Sequence, residues 1–346
     1  MDTFLPILIA VISGSGVLLA IMLNTGGKKK SKTGKPIKTV SRNRNAIIRE
    51  CTKKISHDPH NITALYELGD LYYTEQDWEK AYPLYCTLYE LTALHHEIDP
   101  GNAALRQGIC AFKIGNNAEA VKSLLIAHHY IPDNFDSNFY LGQSFFQNNE
   151  LDKALACLKK AHLIKPEASE VNAPLGFTYF KGQKYKESLS YLRRVLDDDP
   201  ENKEALFDLA SAMDECNMSD KALKVFVHLR PDPQFGPRSC LAAGVIHEKT
   251  KQYEKALLDY EIGLKLAGIP LETQTIIRYR LANTYIALNN IAKGIYYLKQ
   301  IQNSVPIYKD VGTLLQRYQE LNQNSNLQAY IMSGTSDFVA LCRKFV

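Results

Sequence analysis

The sequence predicts an all-α chain in which paired helices stack one after another, preceded by a single apolar helix. Three observations carry this. A small residue inside a Leu-small-x-x-aromatic pattern returns at a nearly constant interval, apolar positions around it follow helical spacing, and a run of 20 residues near the N-terminus holds no charge.

Taken in chain order, Phe4–Leu23 is the uncharged run, and twelve of its residues are Leu, Ile, Val or Phe. As a helix it spans about 30 Å, the thickness of a bilayer's hydrocarbon. Residues 1–23 are therefore expected to form an uncleaved transmembrane anchor, since a signal peptide would have Lys or Arg before its core and a small-x-small cleavage site after it. Ala10/Gly14 and Gly16/Ala20 are small-xxx-small pairs through which two anchors could dimerise. Residues 1–44 hold eight Lys/Arg and one acid, leaving 33 basic and 36 acidic residues in 45–346. The basic excess follows the apolar run, which places the N-terminus outside and the body on the cytoplasmic side. Residues 24–45, rich in Lys, Gly, Ser and Thr, are expected to be a flexible basic tether. A net charge of −3 on the body argues against a nucleic-acid partner.

The body is periodic. Leu68-Gly69, Gly108, Leu141-Gly142, Leu175-Gly176, Leu209-Ala210, Gly244 and Leu281-Ala282 mark successive units, at intervals of 39, 34, 34, 34, 34 and 38 residues. Downstream of each marker come a second small residue and, four positions later, a large one, as in Ala81/Tyr85 and Ala154/Leu158. Small residues let two helices approach closely and the large residue fills the remaining space. Pro132, Pro166, Pro200 and Pro306 end second helices because proline cannot continue the hydrogen-bond ladder. The longer intervals place insertions of five and four residues near Glu97–Gly101 and Leu266–Glu272. Pro174 delays the start of one first helix to about Asn172.

On these residues the chain resembles the tetratricopeptide-repeat family, whose period is 34 residues. The resemblance implies a superhelical solenoid of about seven helix-turn-helix repeats over residues 46–308. They fall near 62–95, 101–134, 135–168, 169–202, 203–236, 237–270 and 275–308. Tyr308–Leu321 is then a capping helix within a C-terminal segment 309–346, where Phe338, Val339, Leu341, Cys342, Phe345 and Val346 share one face. It also implies a non-enzymatic scaffold that binds partner proteins or peptides through a concave groove lined by the first helices. Groove contacts in the family fall at positions 5, 9 and 12 of each repeat. Here those positions supply Tyr66, Tyr73, Ile109, Phe112, Phe139, Phe146, Phe177, Phe180 and Phe207, a set suited to an apolar or amphipathic peptide. They offer no cation for a peptide's terminal carboxylate. Packing of the same rings between neighbouring repeats is the competing expectation.

An N-terminal anchor followed by repeats is similar to the layout of bacterial envelope-assembly regulators. The four cysteines of their metal domain have no counterpart here. The alternative is the recruiting half of a larger membrane enzyme, or of such a regulator, continuing beyond Val346. No P-loop, GxSxG, HExxH or dinucleotide fingerprint occurs, so no catalytic, cofactor or metal residue is expected. The seven cysteines form no CxxC and are expected as small core fillers.

Overall fold

The computed structural model describes residues 37–323, with side chains described for 43–319. These residues form sixteen α-helices and one short 3-10 helix, with no strand among them. They divide into two compact units, residues 37–200 and 201–323.

The first unit opens with α1 (Ile37–His57) and continues as four helix pairs: α2 (Ile62–Thr74) with α3 (Trp78–Leu91), α4 (Pro100–Lys113) with α5 (Asn117–Tyr130), α6 (Phe135–Gln147) with α7 (Leu151–Ile164), and α8 (Asn172–Lys181) with α9 (Tyr185–Asp198). The second holds three pairs: α10 (Lys203–Glu215) with α11 (Ser219–Leu229), α12 (Gly236–Lys249) with α13 (Tyr253–Lys265), and α14 (Leu271–Ala287) with α15 (Ile291–Ser304). It closes with α16 (Val311–Gln323).

The packing follows from the marker residues. Sixteen positions after each marker stands a large side chain, Tyr85, Leu124, Leu158, Leu192, Phe226, Tyr260 or Leu298, every one at most 1 % exposed. Each faces the small residue of its own pair. A Cβ at Gly108 would lie 2.6 Å from Leu124 Cγ, and one at Gly142 would lie 2.7 Å from Leu158 Cγ. Burying one such Leu contributes about 1.5–3 kcal/mol. The core is thus a succession of small clusters, each bridging a pair to its neighbour, in place of a single interior.

The turn inside each pair is equally regular. Gln76, Gly115, Asn149, Gln183, Asn217, Lys251 and Asn289 all adopt positive φ, each seven residues after its marker. In every case the next residue's N–H returns to the carbonyl five back, as Asp77 N–H does to Tyr72 O and Gln252 N–H to His247 O. This Schellman closure satisfies the last carbonyls of the first helix. First helices are started by Asn61, Asp99, Asn134 and Asn202, whose side chains accept from backbone N–H groups one turn in.

The inserted residues have distinct fates. The first insertion widens the connection between α3 and α4. The second lengthens α14 to 17 residues, four being about one helical turn. Pro174 sits in the first turn of α8, which is only ten residues long and is preceded by the 3-10 turn Ser169–Val171.

One boundary differs from expectation. Residues 37–45 were expected within the tether, yet α1 begins at Ile37. Ile47, Ile48, Cys51 and Ile55 form its packed face against Ala64, Leu68 and Tyr72, and Arg44 pairs with Glu75, so α1 caps the first pair. The apolar run Phe4–Leu23, its dimerisation motifs, residues 24–36 of the tether and the segment 324–346 lie outside the described residues. Among the described residues no helix is long and apolar enough to cross a membrane.

Candidate partner-binding surface

Position 12 of each repeat lies in the last turn of a first helix, three residues before the positive-φ residue. From there a side chain reaches the first helix of the next repeat. In the first unit this position is aromatic four times running: Tyr73, Phe112, Phe146 and Phe180.

Three of these rings meet the following repeat. The Arg106 guanidinium of α4 lies over Tyr73, 4.1 Å from its centroid. Phe112 packs at a steep angle against Tyr140 on α6, centroids 5.5 Å apart, and Lys113 stands 5.4 Å over the same Tyr140. Lys181 of α8 lies 5.0 Å over Phe146. Phe180 packs edge-on against Tyr185, 5.7 Å away, at the start of α9. Burial lifts the Tyr73 phenol far above its ordinary range and raises that of Tyr140.

The nine residues singled out from the sequence fall into two groups. Tyr66, Tyr73, Phe112, Phe139, Phe146, Phe177 and Phe180 are half-buried and stay partly open to solvent. Ile109 and Phe207 are corrections as contact residues. Ile109 is 2 % exposed inside the cluster around Leu124 and Leu141. Phe207 is 8 % exposed, wedged between Phe226 and Phe235 with Arg238 over its face at 4.3 Å. Both sit where the second helix of the pair crosses, so a peptide could touch them only after repacking. Phe139 turns partly inward to stack on Phe135 at 5.5 Å.

What the template of positions 5, 9 and 12 misses is positions 6 and 13, which supply Arg106, Tyr140, Lys113 and Lys181. The signal was present in the sequence as cations one residue after, or six before, the aromatic position.

The second unit uses position 12 differently. Asp214 binds Lys249 Nζ at 2.9 Å and accepts from Ser219 Oγ at 2.6 Å. Glu248 binds Arg280 Nη1 at 3.1 Å and accepts from Thr284. Deeper in this unit, Asp259 is 2 % exposed and accepts from Arg230, with His247 Nδ1 2.6 Å from its other oxygen.

None of this amounts to a catalytic arrangement. The side chains of Asp259 and His247 hydrogen-bond to each other, Asp259 also accepts from Arg230, and the nearby hydroxyl of Thr250 donates to the His247 backbone carbonyl. Burial raises the thiols of Cys51 and Cys240 to about 11 and that of Cys110 to about 12, which leaves them protonated and weakly nucleophilic. These three are buried core residues, and Cys86, Cys157 and Cys216 are half-buried. Among the described residues no three His, Cys, Asp or Glu side chains are placed to hold a metal ion. A cleft of about 460 Å³ between α13, α14 and α15, walled by Glu261, Lys265, Arg278, Tyr296 and Tyr297, opens broadly to solvent.

Comparison with known proteins agrees with this architecture. Profiles described as tetratricopeptide repeat match residues 105–166 and 179–239. The C-terminal part of a TPR repeat-containing protein from Cytophaga hutchinsonii superposes with a TM-score of 0.54 at 14 % identity, covering 71 % of this chain and 98 % of that one. PilF of Pseudomonas aeruginosa gives a TM-score of 0.46 at 18 % identity, covering 64 % and 96 %. A MamA structure designated MSR-1 gives 0.45 at 24 % identity, covering 48 % and 95 %. No curated protein matches the chain. The chain carries tetratricopeptide repeats, and its fold is that of an all-α repeat protein.

Proposed function

We infer that the protein is a non-enzymatic scaffold that docks partner proteins or peptides on the first-helix surface of its first unit. The observation that supports this most is the run Tyr73, Phe112, Phe146 and Phe180. Four rings at one register position are held rigid by the next helix or by their own pair, yet none is fully covered. Rigid aromatic edges lose little conformational freedom on binding, which is the property of an anchor site.

The apolar run Phe4–Leu23, with its basic flank, extends this reading to a membrane-anchored adaptor whose repeats face the cytoplasm. Two experiments test the two halves. A photo-crosslinking residue at Phe146 should capture a discrete partner, and the same residue at Leu163, exposed on the second-helix side, should not. Equal capture at both sites rejects the docking surface. The full chain should resist alkaline carbonate extraction from membranes, whereas a chain without residues 4–23 should be released. Release of both rejects the anchor.

A further inference from the structure

The first helices α4, α6 and α8 are cationic when taken together. They carry Arg106, Lys113 and Lys181 against a single carboxylate, Asp136. Each cation lies over an aromatic ring. Lys113 and Lys181 are exposed and no ion pair occupies them, and Arg106 is 3.7 Å from Asp70 of α2. A cation resting on a π face is held in place while most of its N–H donors stay free. Three positioned, incompletely satisfied cations in line therefore call for acceptors supplied from outside.

We propose that this strip binds a peptide whose acidic side chains alternate with apolar ones. The carboxylates meet Arg106, Lys113 and Lys181, and the apolar side chains pack on the free edges of Phe112, Tyr140 and Phe146. The proposal rests on the docking surface described above and names its ligand. The alternation matches an extended strand, in which successive side chains point to opposite sides. Guanidinium and ammonium groups bind carboxylates more strongly than neutral acceptors.

Single-stranded nucleic acid is the other polyanion that aromatic and cationic residues together can bind, and it does so by stacking bases on open ring faces. Here Tyr73, Tyr140 and Phe146 each already carry one of the protein's own cations on a face, and residues 45–346 carry a net charge of −3. The arrangement favours the peptide.

The test uses the full chain and fluorescence anisotropy. The probes are a labelled twelve-residue peptide of alternating Glu and Leu, its Gln-for-Glu counterpart, and a labelled thymidine 12-mer. The Glu peptide should bind at least tenfold more tightly than the Gln peptide, with the difference shrinking as salt rises. The pair Lys113→Gln, Lys181→Gln removes that preference without altering binding of the Gln peptide. Asp136→Asn, an exposed change that threatens no packing, should tighten the Glu peptide by twofold or more. Equal binding of Glu and Gln peptides, lost in Phe112→Ala, Phe146→Ala, overturns the acidic preference while the docking surface stands. Absence of binding by either peptide overturns the proposal, and the crosslinking at Phe146 then decides the surface independently. Tighter binding of the thymidine 12-mer than of the Glu peptide also overturns it.

Discussion

Position 12 tells the two units apart. In the first unit Tyr73, Phe112 and Phe146 close the seam to the next repeat with rings and cation–π contacts. In the second, Asp214 and Glu248 close the equivalent seams with Lys249 and Arg280. The partners even come from matching places, since Phe146–Lys181 and Asp214–Lys249 both run from position 12 to position 13 of the following repeat. The backbone period is shared, so the seam accepts either chemistry. A ring there leaves an apolar edge for a ligand, whereas a carboxylate paired across the seam has spent its charge inside the protein. On the proposed function, the first unit is the docking half and the second a structural half that depends on its ion pairs.

The sharpest way to break this comparison is Asp259→Ala. It leaves Arg230 and His247 without their buried acceptor, a loss worth about 3–5 kcal/mol. The chain's one tryptophan, Trp78, lies on α3 and reports on the first unit. In urea, circular dichroism should show an early transition that Trp78 fluorescence does not follow. A coincident shift in both signals would mean that the units do not differ in this way.

Next in size is a pair of identical substitutions with opposite outcomes. Gly69 and Gly244 both face a buried tyrosine. A Cβ at Gly244 would stand 2.2 Å from the Tyr260 ring, but one at Gly69 stands 3.4 Å from Tyr85, an ordinary contact. Tyr260 is wholly buried and has no room to shift. Gly244→Ala should cost about 2–3 kcal/mol through overpacking. Gly69→Ala should stabilise its unit by about 0.5–1 kcal/mol through helix propensity alone. Urea midpoints read by circular dichroism and by Trp78 fluorescence decide the signs.

A third effect depends on pH. Burial, with Glu204 nearby, raises the Asp208 carboxyl to about 7, and Arg238 only partly opposes it. A carboxyl whose folded pKa lies above its unfolded value of about 4 binds more protons when folded, so stability falls as pH rises from about 4 to 7. Asp208→Asn should abolish that slope and stabilise the protein at pH 7.5 by about 1–2 kcal/mol, discounted for the water contact that Asp208 keeps. Thermal midpoints at pH 5 and pH 7.5 measure both. An unchanged slope would show that Asp208 titrates like a free carboxyl.

The repeat itself was legible because close helix packing needs small residues, and Gly or Ala at 69 through 282 announces them at the 34-residue step. The site was legible only in part. The repeat register places the rings on first helices, but a period does not say whether a side chain at position 5 or 9 faces outward. At Ile109 and Phe207 the neighbouring helix covers them. The cations at 106, 113 and 181 were not singled out because surface Lys and Arg carry no packing signal, and their seat on a ring appears only when the neighbouring repeat is packed beside them. The start of α1 was hidden by a basic, Ser- and Thr-containing stretch whose helix is held by its later turns against α2.

The smallest prediction concerns the turns, where the two units should not differ at all. Of the seven positive-φ turn residues only Gly115, in the first unit, is the residue type that adopts this conformation freely, and Lys251 in the second is among the least suited. The left-handed conformation costs a non-glycine residue about 1–2 kcal/mol, and glycine's extra freedom in the unfolded chain returns about 0.5–1 of that. Lys251→Gly should therefore stabilise the second unit by about 0.5 kcal/mol, and Gly115→Lys should destabilise the first by a similar amount. A Cβ at Gly115 meets nothing within 4 Å, so backbone conformation alone is measured there. Equal and opposite shifts in the urea midpoint would place the whole contrast between the units in their seams. Unequal shifts would mean that the turns share in it.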